Sequence, residues 1–223
     1  MSGADLDPEP DAAGFVLAGG RSSRMGEDKA LVRLGGQPLV LHALDILRGA
    51  GLTVSLAGGF SALAAFAPLV QDSQPGLGPL AGICAALAST SARLAVFMPV
   101  DLPLLPVSLI AFLLDHARRT GRPVTVPSVN GFAQTFPAVL DGKLLTGLEG
   151  ELQAGRLGCF SALQAAAANF GWPMSVVPVE ALVQSGQVAH PEGLPATRWF
   201  LNVNSPEGLR LAREYFPRPH RVS

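Results

Sequence analysis

The chain alternates short, almost uninterrupted apolar runs with longer stretches whose apolar residues recur every three or four positions. GFVLAG (14–19), LTVSLAG (52–58), PLVQD (68–72) and RLAVFMPVD (93–101) are of the first kind and predict strands buried on both faces. Between and after them the spacing predicts helices over 38–51, 61–67, 78–90 and 106–120. Pro79 opens the third of these and Gly121 closes the fourth. Strands and helices in this alternation form a parallel sheet covered on both faces, the doubly wound α/β class. Ligands of such sheets bind outside the carboxyl ends of the strands.

The second half is less regular. PVTVPSVNGFAQTFPAVL (123–140) predicts two strands around an Asn130–Gly131 turn. Ala- and Leu-rich helices are expected over 142–154 and 158–169, and a strand over 174–180. WFLNVNSPEGLRLAREYF predicts a strand end, a turn and a last helix begun by Ser205–Pro206. Neither an internal repeat nor a long linker interrupts the chain. The expected organisation is an acidic, proline-bearing lead-in over 1–12 and one domain over 13–223.

Composition narrows the picture. Of 223 residues 48% are apolar but only 6% aromatic, so Ala, Leu and Val must build the core. The net charge is −1 and no block of like charge occurs, which argues against nucleic-acid binding and for small-molecule partners. Residues 49–70 carry no charge, but Ser55, Gly58–Gly59, Ser61 and Pro68 divide them into strand, turn and short helix rather than a membrane span. The first residues lack the basic start and apolar middle of a secretory signal, so a cytoplasmic protein is expected. Cys84 and Cys159, in separate Ala-rich settings, are expected to be buried free thiols. His42, His116, His190 and His220 show no zinc-ligand spacing.

The candidate chemistry begins in the first loop, FVLAGGRSSRMGEDKAL (15–31). A glycine turn between strand and helix lets backbone amides approach an anion, and Arg24 and Lys29 add charge within reach of a triphosphate. The spacing matches neither of the two commonest phosphate loops, and a tight connection is the simpler alternative. Lysine usage favours the anion: the chain has two lysines, Lys29 and Lys143, among 16 basic residues, and one of them stands here. Asp101 follows the fourth strand, where a carboxylate can hold Mg²⁺ against phosphates or else cap the next helix or form a turn. Asp72 follows the third strand and can accept from a base or ribose, or cap a turn. The glycine loop, Asp72 and Asp101 thus converge on one crevice. Asn202 and Asn204 alternate by two, which in extended chain puts both amides on one face. Turn formation suits Asn204 better than Asn202.

LAGGRSSRMGEDKAL resembles the signature loop of the molybdenum cofactor guanylyltransferases, L-A-G-G-x-S-x-R-M-G-x-D-K, residue by residue over Leu17–Lys29. The resemblance continues at GPLAG (78–82), VDLPLLP (100–106) and NVNSPEGL (202–209). It implies a three-layer sandwich around a mostly parallel, Rossmann-like sheet of the nucleotide-diphospho-sugar transferase type. It also implies transfer of GMP from GTP to the phosphate of molybdopterin, with loss of pyrophosphate. By the same resemblance Leu17, Ala18, Gly19, Gly20 and Lys29 surround the triphosphate, and Asp72 and Gly78 lie by the guanosine. Asp101 holds Mg²⁺, Arg24, Lys29 and Asp101 carry catalysis, and Asn202 and Asn204 face molybdopterin. Transient contacts with cofactor-supplying and cofactor-accepting proteins follow too.

The chain departs from the family pattern at Gly58, where an asparagine is usual, at Gly208, where an acidic residue is usual, and over 183–198, which is longer. The sister cytidylyltransferases carry L-A-A-G and a proline before the lysine, where this chain has Gly19 and Asp28. Sugar-phosphate nucleotidyltransferases place the lysine further from the glycines. A nucleotide-binding adaptor without catalysis is the reading from another class. It differs by lacking metal-dependent pyrophosphate release.

Overall fold

The computed structural model describes residues 11–19, 28–72 and 76–216. Strand β1 (Ala12–Leu17) shows how the sheet is built: Ala12 and Val16 enter one core cluster, while Ala13, Phe15 and Leu17 enter another. The two-residue period of extended chain sends alternate side chains to opposite faces, so a strand apolar at every position must be covered twice. After β1 come β2 (Arg33–Leu34), β3 (Gln37–Pro38), α1 (Leu39–Gly49), β4 (Thr53–Ala57), β5 (Leu69–Val70) and α2 (Pro79–Ala88). Then follow β6 (Leu94–Pro99), α3 (Val107–Thr120), β7 (Val124–Val129), β8 (Phe132–Ala133), β9 (Ala138–Asp141), α4 (Leu145–Gln153) and α5 (Cys159–Asn169). β10 (Ser175–Pro178), α6 (Val179–Gln184), α7 (Ala196–Trp199) and α8 (Pro206–Tyr215) complete the order.

The eight-stranded sheet runs β10-β7-β9-β6-β1-β4-β5, with β8 paired to β7. Pairs β1/β4, β1/β6, β4/β5 and β10/β7 are parallel, and β9 is antiparallel to both its neighbours. Helices α1 and α3, with the later α6 and α7, pack on one face through residues such as Leu44, Leu113 and Trp199. Helices α2, α4 and α5 pack on the other through Ile83, Leu148 and Leu163. The three-layer, mostly parallel sandwich is therefore the observed fold. Phe15 and Phe97, aligned on β1 and β6, stack at 5.4 Å under α2's face and supply two of the few core aromatics.

Several boundaries differ from the expectations. β1 begins two residues early, inside the expected lead-in, because Ala12 and Ala13 pair with Leu94 and Ala95 and Asp11 accepts from Arg93 and Arg118. Alanine is a weak strand former, so this start carried no signal. The expected strand 68–72 shrinks to two residues, and 61–67 is a 3₁₀ turn at Ser61–Ala65. The 123–140 segment holds a third strand, β9, inserted between β6 and β7. The 174–180 strand stops at Pro178, where burial of Val179 and Leu182 starts α6. No strand forms at 199–204; α7 and an extended segment occupy that stretch. The β2–β3 hairpin, turned by Gly35–Gly36, was not expected. Among the described residues no helix is long and apolar enough to cross a membrane.

Candidate active site

Four parallel strands deliver their carboxyl ends to one edge. β1 continues into Ala18, whose N–H donates to Ala57 O at 3.1 Å, and then into Gly19. β6 continues into Val100, whose N–H donates to Leu17 O at 3.3 Å, and then into Asp101. Gly58 follows β4 and donates to Val70 O at 3.0 Å, and Asp72 lies two residues past β5. These bonds extend the ladder beyond the strands and fix where each loop leaves the sheet.

Lys29 returns to this edge after the glycine loop. Asp28 caps its turn: the carboxylate accepts from Ala30 N–H at 2.9 Å, and Ala30 is buried. The capped 3₁₀ turn aims the lysine, whose Nζ donates to Asp101 Oδ2. Both side chains are sheltered, 21% and 13% exposed. The second carboxylate oxygen, Oδ1, is buried and has no hydrogen-bond partner among the described residues. A buried, unpartnered carboxylate oxygen is costly unless a cation or donor joins it. Among the described residues no cluster of three or more His, Cys, Asp or Glu could hold a metal ion unaided. One hard carboxylate oxygen fits an Mg²⁺-like ion that takes its remaining ligands from water and phosphates. The alternative role for Asp101, capping α3, is set aside, because Pro106 is that helix's N-cap and no side chain caps it.

Asp72 lies at the other end of the crevice. The order β6-β1-β4-β5 puts three strand spacings, about 14 Å, between it and Asp101. Gly78 is the N-cap of α2, with φ +81°, and Pro79 takes the first helical position. Between these flanks Gly58 faces Gly19. A Cβ on Gly58 would stand 3.3 Å from Gly19 Cα, and Gly58 itself has φ +71°. The turn after β4 therefore needs a left-handed residue, which glycine adopts freely and asparagine tolerates. This chain satisfies the geometry without the amide side chain.

Asn202 and Asn204 are exposed on either side of the fully buried Val203. Val203 N–H donates to Asp101 O at 2.9 Å, so the asparagine segment is tied directly to the metal-ligand candidate. Gly208 explains a second departure from the family pattern. A Cβ there would come within 2.5 Å of Asn202 O, so an acidic side chain would push the asparagine away. Ser205, capping α8 through a 3.1 Å bond from Gly208 N–H, holds the turn.

Of the expected site residues, Leu17, Ala18, Gly19, Lys29, Asp72, Gly78, Asp101, Asn202 and Asn204 lie along this edge or in the segment bonded to it. Gly20 and Arg24 lie outside the described residues. Asp28, Val203 and Gly208 were missed. Asp28 carried a readable signal, an Asp two residues before a buried alanine, whereas the other two act through tertiary contacts. Cys84 and Cys159 are free, Cys84 buried and Cys159 half-buried. Burial pushes both thiols up to about 11, for Cys84 aided by the negative potential of Glu149, Cys159 and Asp72. Neither is a nucleophile near neutral pH.

A glycine turn after the first strand, and a lysine–aspartate pair at the carboxyl edge of a mostly parallel sheet, define a nucleotidyltransferase-type α/β protein. The chain belongs to the MobA-like NTP transferase domain family, whose sequence model matches residues 14–171. It is 31% identical over 207 residues to a probable molybdenum cofactor guanylyltransferase of Haloferax mediterranei, covering 89% of this chain and 91% of that one. It is 45% identical over 103 residues to a molybdenum cofactor guanylyltransferase of Xanthomonas euvesicatoria pv. vesicatoria, an alignment spanning 45% of this chain and 52% of its relative. In fold it resembles the crystal structure of molybdopterin-guanine dinucleotide biosynthesis protein A from Archaeoglobus fulgidus, with TM-score 0.72 and 22% identity over 91% and 97% of the two chains.

Proposed function

We propose that this protein transfers GMP from GTP to the phosphate of molybdopterin, releasing pyrophosphate and forming the guanine dinucleotide cofactor. The observation that carries the reading is the Lys29–Asp101 pair, with Asp101 Oδ1 buried and without a hydrogen-bond partner among the described residues. A phosphate oxygen of molybdopterin attacks the α-phosphorus of GTP in line. The bond to the β-phosphate breaks, and its electron pair leaves with pyrophosphate. Such reactions are carried by positioning and charge neutralisation rather than by a protein nucleophile.

Each residue has a part in that scheme. Lys29 leaves Asp101 to meet the β- and γ-phosphates, Arg24 adds a second cation, and the backbone of Leu17 to Gly20 lines the triphosphate. Asp72, some three strands from Asp101, and Gly78 take the guanosine end. Asn202 and Asn204 orient molybdopterin. The family uses a divalent metal; Asp101 would hold it, as Mg²⁺, and it would offset charge on the phosphates. The domain is taken to run over 13–223. The protein is assigned to the cytoplasm, with transient contacts to the proteins that supply and receive the cofactor, and with no role in nucleic-acid or membrane binding.

The test is calorimetric binding of GTP, CTP and UTP with Mg²⁺ to the wild type and to Lys29→Ala, followed by pyrophosphate release on adding molybdopterin. Preference for GTP, lost in the variant, and metal-dependent pyrophosphate release are expected. Preference for CTP would move the protein to the sister cytidylyltransferase activity. Binding of GTP without pyrophosphate release would leave a nucleotide-binding adaptor.

A further inference from the structure

We propose that Phe132, at the tip of the β7–β8 hairpin, is a stacking platform for the flat pterin ring of the acceptor. The inference rests on the proposed reaction for the identity of its ligand, but not for its geometry. β9 is antiparallel to both β6 and β7, so β6 and β7 run the same way, and the hairpin turns at the edge that carries Asp101. Ser128 of β7 pairs with Pro178 of β10 on one side and with Ala133 of β8 on the other. β8 therefore lies on the side of β7 that faces β9 and β6.

The registers place Phe132 more closely. Leu140 of β9 is aligned with both Val124 of β7 and Ala95 of β6, so those two residues are level across the sheet. Counting forward along the two parallel strands brings Val129 level with Val100, and Phe132 is the partner of Val129. Phe132 thus stands level with the residue before Asp101, one or two strand spacings away, about 5–10 Å. Directly opposed residues project to the same face of a sheet. Val129 belongs to the core cluster of α1, α3, α6 and α7, which also holds Val203. Phe132 is therefore on the face where Asn202 and Asn204 flank Val203. It lies on the opposite side of Asp101 from Gly19, Gly58 and Asp72.

The hairpin is braced so as to hold this side chain out. Asn130 and Gly131 have φ of +52° and +77°, the two-residue turn that suits a twisted antiparallel pair. Asn130 N–H donates to Glu180 Oε1 at 2.7 Å, which ties the turn to the first turn of α6. Gln134 closes the stem: its N–H donates to Pro127 O at 2.8 Å, and its Nε2 donates to Phe132 O at 3.0 Å. On that backbone Phe132 is 74% exposed, the most exposed large apolar side chain among the described residues. A lone apolar residue on a surface needs no function. An aromatic face held rigidly beside the candidate metal ligand, however, gives a flat heteroaromatic ring a surface to stack on. On the proposed function guanine lies at the other end of the crevice, so the ring within reach of Phe132 is the acceptor's.

The experiment compares the wild type with Phe132→Leu and Phe132→Trp, in pyrophosphate release and in equilibrium binding of molybdopterin. Leucine keeps an apolar side chain and loses the ring, whereas tryptophan keeps a ring. Phe132→Leu is expected to raise KM and Kd for molybdopterin about 5–150-fold, the loss when one stacked ring is removed. KM for GTP should stay within about twofold. Phe132→Trp should keep values near those of the wild type. Because the side chain is exposed, neither variant should shift Tm. Wild-type KM and Kd in Phe132→Leu overturn the inference, as does a loss that tryptophan does not restore, or an equal rise in KM for GTP. Molybdopterin binding that depends on Phe132 without pyrophosphate release overturns the proposed function alone. A wild type that binds no molybdopterin overturns both.

Discussion

The two halves of the sheet do different work. In β5-β4-β1-β6 every strand runs the same way, so four successive loops arrive at one edge with Asp72, Gly58, Gly19 and Asp101. Beyond β6, the antiparallel β9 runs the other way and sends its carboxyl end to the opposite edge, where Asp141 caps a 3₁₀ turn through Lys143 N–H at 2.9 Å. The side of the crevice proposed for the phosphates is therefore built from strand ends, whose places the ladder dictates. The side proposed for the acceptor is built from chain in neither strand nor long helix, held by a few side-chain and backbone bonds from Ala189 to Val203. Rigid backbone suits a triphosphate common to many substrates, and an irregular segment suits the partner that differs.

The largest effect should break the phosphate side. Asp101→Asn and Lys29→Ala should each cost about 10²–10³-fold in rate, as removing one preorganised charge does. Because both groups are proposed to offset charge on the same triphosphate, the double variant should fall little below either single one. Pyrophosphate release in the three variants checks this, and multiplied losses would mean two independent roles. On the acceptor side, Gly208→Ala forces a Cβ against Asn202 O and should destabilise the fold by about 1–3 kcal/mol. It should raise KM for molybdopterin more than for GTP, and equal rises would erase the division between the halves. Trp199→Phe leaves Leu194 O without its donor at a cost of about 1–2 kcal/mol, read as a lower Tm.

The smallest effect comes from pH. Burial lowers His116 and His190 below 6.5, so the folded state binds their protons less readily than the unfolded chain. Their contribution is full above 6.5 and is lost as pH falls through the lowered values. Melting curves between pH 7 and about 5 should show a decline that His190→Gln partly flattens.

The sequence showed the parallel half well because its signals are local. Runs such as VLAG and AVFMPVD are apolar up to their last residue, and each stops at a candidate site residue. Asp101 could be singled out as a candidate metal ligand, though its open oxygen could not, since that depends on Lys29 arriving 72 positions away in the chain. The other half hid β9, whose pairing partners Val96 and Thr125 are remote in sequence, and turned the expected strand after Trp199 into irregular chain. Gly58 and Gly208 read as departures until their neighbours were known. Gly58 fits a left-handed turn that glycine adopts freely, and Gly208 is the residue its crowded backbone admits.

The contact between Lys29 and Asp101 has a consequence for the order of events. Lys29 and Asp101 are paired with each other, so a lone cation or a lone polyphosphate would each have to part them. On the proposed function, a cation taking Asp101 would free the lysine, and a polyphosphate taking Lys29 would free the carboxylate. Each ligand thereby lowers the work the other must do, and linkage requires the help to be mutual. On this reading the metal–nucleotide complex is the true substrate, and the protein holds back from either component alone.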